Sequence, residues 1–161
     1  MAQDTQTNAA VREADYPRSP RVLLGGMAHL ARLIDKIRLR HAGKILDYHY
    51  LTTGFDKALI EFLQIDAAAF EQRVLAGDTD EALLDWTRVH GRPLRPAEIR
   101  LWTRNILSSK PEDDGAKGRY AARLQEIAAK YGVPVESLPT ITTWAEGIDL
   151  DEGRIPLQPA T

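Results

Sequence analysis

Tyr48-His49-Tyr50, preceded directly by Asp47, is the part of this chain best equipped for chemistry. An imidazole tuned by a neighbouring carboxylate can take a proton near neutral pH. His49 is therefore the candidate general base, with Asp47 or Asp35 to orient it, and the flanking phenols can position a small polar ligand. The plainer account is that the aromatics alternate between core and solvent and that His49 is simply polar.

A second kind of chemistry lies just upstream. Between Pro17 and Tyr50 the cations are Arg18, Arg21, Arg32, Lys36, Arg38, Arg40 and Lys44, and the only acids are Asp35 and Asp47. The whole chain carries a formal net charge of −2, so this asymmetry is local. Guanidinium forks and free backbone N–H groups suit a carboxylate or a phosphate. The expected ligand-binding set is Arg18, Arg21, Gly25, Gly26, Lys36, Arg38, Lys44 and Tyr48. Arg32, Lys36 and Arg40 follow one another at spacings of four and line one helix face. Such a face is equally well solvated, or paired with Asp35, Asp56, Glu61 or Glu71.

Other chemistries find little support. His29, His41, His49 and His90 form no HExxH or HxH pair, so no metal is expected. Asp149, Asp151 and Glu152 lack EF-hand spacing. Ser19 has no nucleophile-elbow context, and Gly25-Gly26 lacks the lysine spacing of a phosphate loop. With no cysteine, disulfides, thiolate metal sites and a thiol nucleophile are excluded. No cofactor is expected. A near-neutral domain argues against nucleic-acid binding.

Several elements must position these residues. Residues 1–16 are polar, without an apolar face, and read as a flexible lead lacking a secretory h-region. Pro17 and Pro20 hold Arg18-Ser19 extended. Met27, Leu30, Leu33, Ile34, Ile37 and His41 repeat at three and four, predicting a helix over 26–41 that Gly43 ends, with Arg32, Lys36 and Arg40 facing away from its apolar stripe. Residues 45–51 are β-branched and aromatic and read as a linker with at most a short extended segment. Further helices are predicted over 55–63, 67–75 capped by Asp66, 80–90 opened by an Asp78/Glu81 capping box, 96–107 begun by Pro96, and 119–131. Ser108 to Gly118 reads as a surface loop. Residues 146–161 read as an acidic, Pro-rich tail anchored by Trp144 and Ile148. The fold class is all-α: one compact helical domain over 17–145, of about six short helices.

The segments RSPR, LGG, LARLIDKIR, AGK and YHY, followed by FLQIDAAAFEQRV and Leu84-Asp85-Trp86, resemble the bacterial domain-of-unknown-function family 5069. The likeness runs from about Pro17 to Trp102. It implies a small, soluble, mainly helical bacterial protein and brings no activity with it. Arg18, Pro20, Arg21, Gly25, Gly26, Asp35, Lys36, Arg38, Gly43, Lys44 and Tyr48 match the family's pattern.

Three functional classes follow. The first is a cytoplasmic binding or interaction protein for a small anionic ligand or an acidic partner surface. The alternative is a metal-independent enzyme acting on a small anionic metabolite, with His49 as base. A structural or regulatory protein without a pocket is a third. No membrane partner is expected, because no apolar run reaches the ~18 residues of a bilayer span.

Overall fold

The computed structural model describes residues 16–157. The lead expected over 1–16 falls outside this range except for Tyr16, as do the last four residues of the tail. Seven α-helices and one short 3₁₀ turn occur among the described residues, with no strand. The helices are α1 (Leu30–His41), α2 (Gly54–Leu63), α3 (Ala67–Leu75), α4 (Asp80–His90), α5 (Pro96–Ser108), α6 (Asp114–Tyr131) and α7 (Trp144–Asp151). The fold is all-α.

The chain divides into two compact units, the first ending at Thr103 and the second beginning at Arg104, inside α5. In the first unit α1 is the central element. Its Leu30, Leu33, Ile34 and Ile37 are completely buried, and it packs on α3 through a core that includes Phe70 and Val74. Each such side chain contributes roughly 1.5–3 kcal/mol by leaving water. Trp102 of α5 stacks on Phe62 of α2 at 4.7 Å, and its indole N–H donates to the Ala28 carbonyl at 3.0 Å.

Helix α1 begins four residues later than its apolar repeat predicts. The reason is local: Gly25 (φ 59°), Gly26 (φ 80°) and His29 (φ 74°) all have left-handed backbone, and Leu24 and Met27 form an isolated antiparallel bridge across the turn. A helix cannot run through those dihedrals. Gly25 also lies against Leu84, where a Cβ would meet the Leu84 methyls at 2.7 and 2.8 Å. The predicted chemistry of the next two helix starts is half right. Asp66 caps α3 by accepting from Ala69 N–H, but Thr79, not Asp78, caps α4 by accepting from Ala82 N–H.

The second unit departs further from the sequence reading. Asp113 caps α6 by accepting from Ala116 N–H, so the helix takes in Lys117 and Gly118, which were expected in a surface loop. The segment after Thr143 is a true helix and not an irregular tail. Thr143 and Glu146 form a complete capping box, and Ala145 and Leu150 are fully buried. Helix α7 packs on α6, where the Tyr120 hydroxyl donates to the Thr143 carbonyl at 3.0 Å. Capping plus burial on one face is enough to hold even an eight-residue helix that would not persist alone.

Candidate functional site

The loop between α1 and α2 builds an open pocket of about 550 Å³, lined by Arg40 and residues 46–53. Gly43 (φ 78°) ends α1, and Ile45 (φ 47°) and Leu51 (φ 60°) bend the chain twice more. These left-handed residues explain why 45–51 forms turns and no strand, despite its β-branched content. The Tyr48 N–H donates to the Ile45 carbonyl at 3.1 Å, and the Thr52 N–H to the Tyr50 carbonyl at 2.6 Å.

Side chains fix the loop from both sides. The Arg40 guanidinium lies over the Tyr50 ring, 4.6 Å from its centroid, and donates to the Leu46 carbonyl at 3.3 Å. Arg32 stands 5.9 Å over the Tyr48 ring. The Tyr50 hydroxyl donates to the Glu71 carboxylate in a short hydrogen bond. Burial and then that carboxylate push the phenol's pKa well up, so Tyr50 is a donor and not a phenolate.

Asp47, Tyr48 and His49 all line this pocket, as their clustering in sequence suggests. Asp47 and His49 are exposed. The imidazole's partner is Thr53, whose Oγ1 lies 3.2 Å from His49 Nδ1.

The cations expected beside them mostly go elsewhere. Arg18 grips two carboxylates, with Nε 2.8 Å from Asp35 Oδ2 and Nη1 2.7 Å from Asp80 Oδ2. The Asp80 hydrogen bond is the larger cause of a raised Arg18 pKa, and Arg18 in turn holds Asp80 low. Lys36 is buried, its Nζ 2.8 Å from Asp56 Oδ2. Arg38 is exposed and donates to the Asp78 carbonyl at 2.7 Å. Arg21 and Lys44 are exposed, and neither they nor Gly25 and Gly26 line the pocket. The expectation that Arg32 and Lys36 face away from the core is overturned: they are 3% and 5% exposed. Arg32 is accommodated there in part by donating to the Arg18 carbonyl at 3.2 Å.

Beneath the pocket loop lies a cluster that the sequence reading missed. Asp56, in the first turn of α2, is fully buried and receives three donors. His29 Nε2 is 2.6 Å from Oδ1, while Lys36 Nζ at 2.8 Å and the Leu51 N–H at 2.9 Å both reach Oδ2. Burial works to raise the Asp56 pKa, but the His29 hydrogen bond and the Lys36 charge outweigh it and bring the group down to about 2. Burial lowers the pKa of His29, so a neutral imidazole donates from Nε2 and leaves Nδ1 buried as an acceptor. The His29 and Phe55 rings pack nearly perpendicular, with centroids 5.6 Å apart. One signal was present: Lys36 lies three residues after Leu33 and so falls on the same side of the helix as part of the apolar stripe.

Among the described residues no three His, Asp or Glu side chains converge to hold a metal ion. None of the described helices is long and apolar enough to cross a membrane.

Fold and site together define a small all-α protein whose pocket is carried by one helix-connecting loop, locked from beneath by a buried carboxylate. The chain belongs to the DUF5069 family, a domain of unknown function whose model matches residues 14–154. That span contains the whole basic segment, the pocket loop and helices α1 to α7 up to Arg154. No curated protein matches the chain.

Proposed function

We propose that this protein binds a small anionic ligand in the pocket formed by Arg40 and residues 46–53. The observation that carries the reading is the state of Arg40. Arg18 and Lys36 are committed to buried or half-buried carboxylates, whereas Arg40 stands in the pocket wall on the Tyr50 ring and enters no ion pair among the described residues. A guanidinium held flat by an aromatic face is pre-oriented, so less rotamer freedom is lost when it receives a carboxylate or phosphate. Tyr48, His49 and the Thr52 and Thr53 hydroxyls add polar groups at the same wall. Binding is favoured over catalysis, because the histidine–carboxylate pair best placed for proton transfer, His29–Asp56, is sealed from solvent.

Thermal-shift titration with acetate, benzoate and inorganic phosphate tests the reading on wild type and Arg40→Ala. A ligand that binds the native state raises the melting temperature. At least one anion is expected to stabilise wild type, with the shift lost in Arg40→Ala. The reading fails if no anion shifts wild type, or if the variant responds equally.

A further inference from the structure

We infer that the ligand of this pocket is an aromatic zwitterion, a flat ring bearing both a carboxylate and an ammonium group; the inference rests on the pocket reading above. The pocket lining contains one permanent cation, Arg40, and one carboxylate, Asp47. Neither enters an ion pair with the other or with any other described residue. Arg18 is matched to Asp35 and Asp80, and Lys36 to Asp56, so these two cations of the basic segment are already taken. Two opposite charges left apart on one pocket wall are complementary to a molecule that carries both signs.

The same arrangement disfavours a phosphate. A dianion at this wall would gain one guanidinium and face one carboxylate, and like charges at close range cost about as much as opposite charges gain. A monocarboxylate with an ammonium group meets both partners. The guanidinium fork can take the carboxylate with two parallel N–H donors. Asp47, an exposed residue of the same lining, can take the ammonium.

The aromatic frame follows from the surfaces between them. Tyr48 and Tyr50 both belong to this lining, and Leu46 adds an apolar side chain that is 64% exposed. Rings stacked beside a guanidinium plane offer an edge or face to a further ring. A pocket of about 550 Å³ admits a molecule of this size with room to spare.

Isothermal titration calorimetry with L-tryptophan, N-acetyl-L-tryptophan, tryptamine and benzoate tests the inference. The proteins are wild type, Asp47→Asn and Arg40→Gln, with folding of each confirmed by circular dichroism. Wild type is expected to bind L-tryptophan at least tenfold more tightly than N-acetyl-L-tryptophan or tryptamine. Asp47→Asn is expected to bind L-tryptophan no better than the N-acetyl compound, whose own affinity should rise as the repelling carboxylate is removed. Arg40→Gln is expected to lose the preference for L-tryptophan over tryptamine. If benzoate or N-acetyl-L-tryptophan binds wild type as well as L-tryptophan does, the zwitterion inference is overturned while the anion pocket stands. If none of the four binds, and acetate and phosphate also fail, both fall together.

Discussion

His29 Nε2 lies 2.6 Å from Asp56 Oδ1, and this contact joins the residue before α1 to the first turn of α2 inside the core. The other oxygen of the same carboxylate takes Lys36 and the backbone of Leu51. A single buried carboxylate therefore ties the main core helix to the loop that carries the pocket. Four stability consequences follow from this and from the helix termini.

Removing the charge on Asp56 leaves Lys36 buried without its counter-ion. Asp56→Asn should destabilise the protein by roughly 3–5 kcal/mol, the usual cost of breaking a buried pair by one partner. Adding Lys36→Met to that variant should recover part of the loss, since the stranded ammonium is gone. Urea unfolding followed by circular dichroism compares the three. A double variant weaker than Asp56→Asn alone would contradict the pairing.

Acid should destabilise the first unit in two stages. His29 is held neutral in the fold, its pKa below the ordinary 6.5, so its contribution is complete above pH 6.5 and shrinks as the unfolded chain takes up a proton below it. Asp56 falls from 3.8 to about 2, so its contribution of about 2 kcal/mol is complete above pH 3.8 and is lost as pH drops through about 2. Both slopes have the same sign. His29→Gln keeps a donor toward Asp56 but cannot titrate. It should flatten the dependence between pH 7 and 5 and leave the lower stage, as read by melting temperature across the range. An unchanged slope between pH 7 and 5 would show that His29 is not its source.

Gly91 tests backbone crowding without backbone strain. Its φ is −95°, which any residue adopts, yet a Cβ would sit 2.6 Å from the Thr87 carbonyl oxygen and still closer to that of Leu63. Gly91→Ala must therefore shift backbone and should cost roughly 1–3 kcal/mol. Gly77→Ala has open space but φ 92°, so it should cost only about 1 kcal/mol through strain. Chemical denaturation of the two variants ranks them. Equal cost would mean that the turn after α4 yields easily.

In the second unit the capping box of α7 is the sensitive point. Thr143 accepts from Glu146 N–H at 3.1 Å, and Glu146 Oε1 accepts from Thr143 N–H at 3.1 Å. Thr143→Ala should cost about 0.5–2 kcal/mol and Thr143→Ser much less. Hydrogen exchange of the α7 amides is the direct measurement. Protection unchanged in the alanine variant would show that packing of Leu150 and Ala145 alone holds the helix.

The local rules of the sequence determined most of the fold. The apolar spacing of Leu30, Leu33, Ile34 and Ile37, the cap at Asp66 and the position of Pro96 each act within one or two turns, so they are legible without any partner. Where the structure departs from these rules a local competitor wins: Asp113 extends α6, and the left-handed His29 delays α1. The site was legible only in part. Asp47, Tyr48 and His49 share a pocket because they share a loop, and that too is a local fact. Which cation joins them was decided by tertiary structure alone. Arg18 finds Asp80 across 62 positions and Lys36 finds Asp56 across 20, and no spacing rule connects such pairs. Once those carboxylates are taken up, Arg40 is left on the Tyr50 ring at the pocket wall, because burial makes the charged residues of the core pair with whatever opposite charge the fold brings within reach.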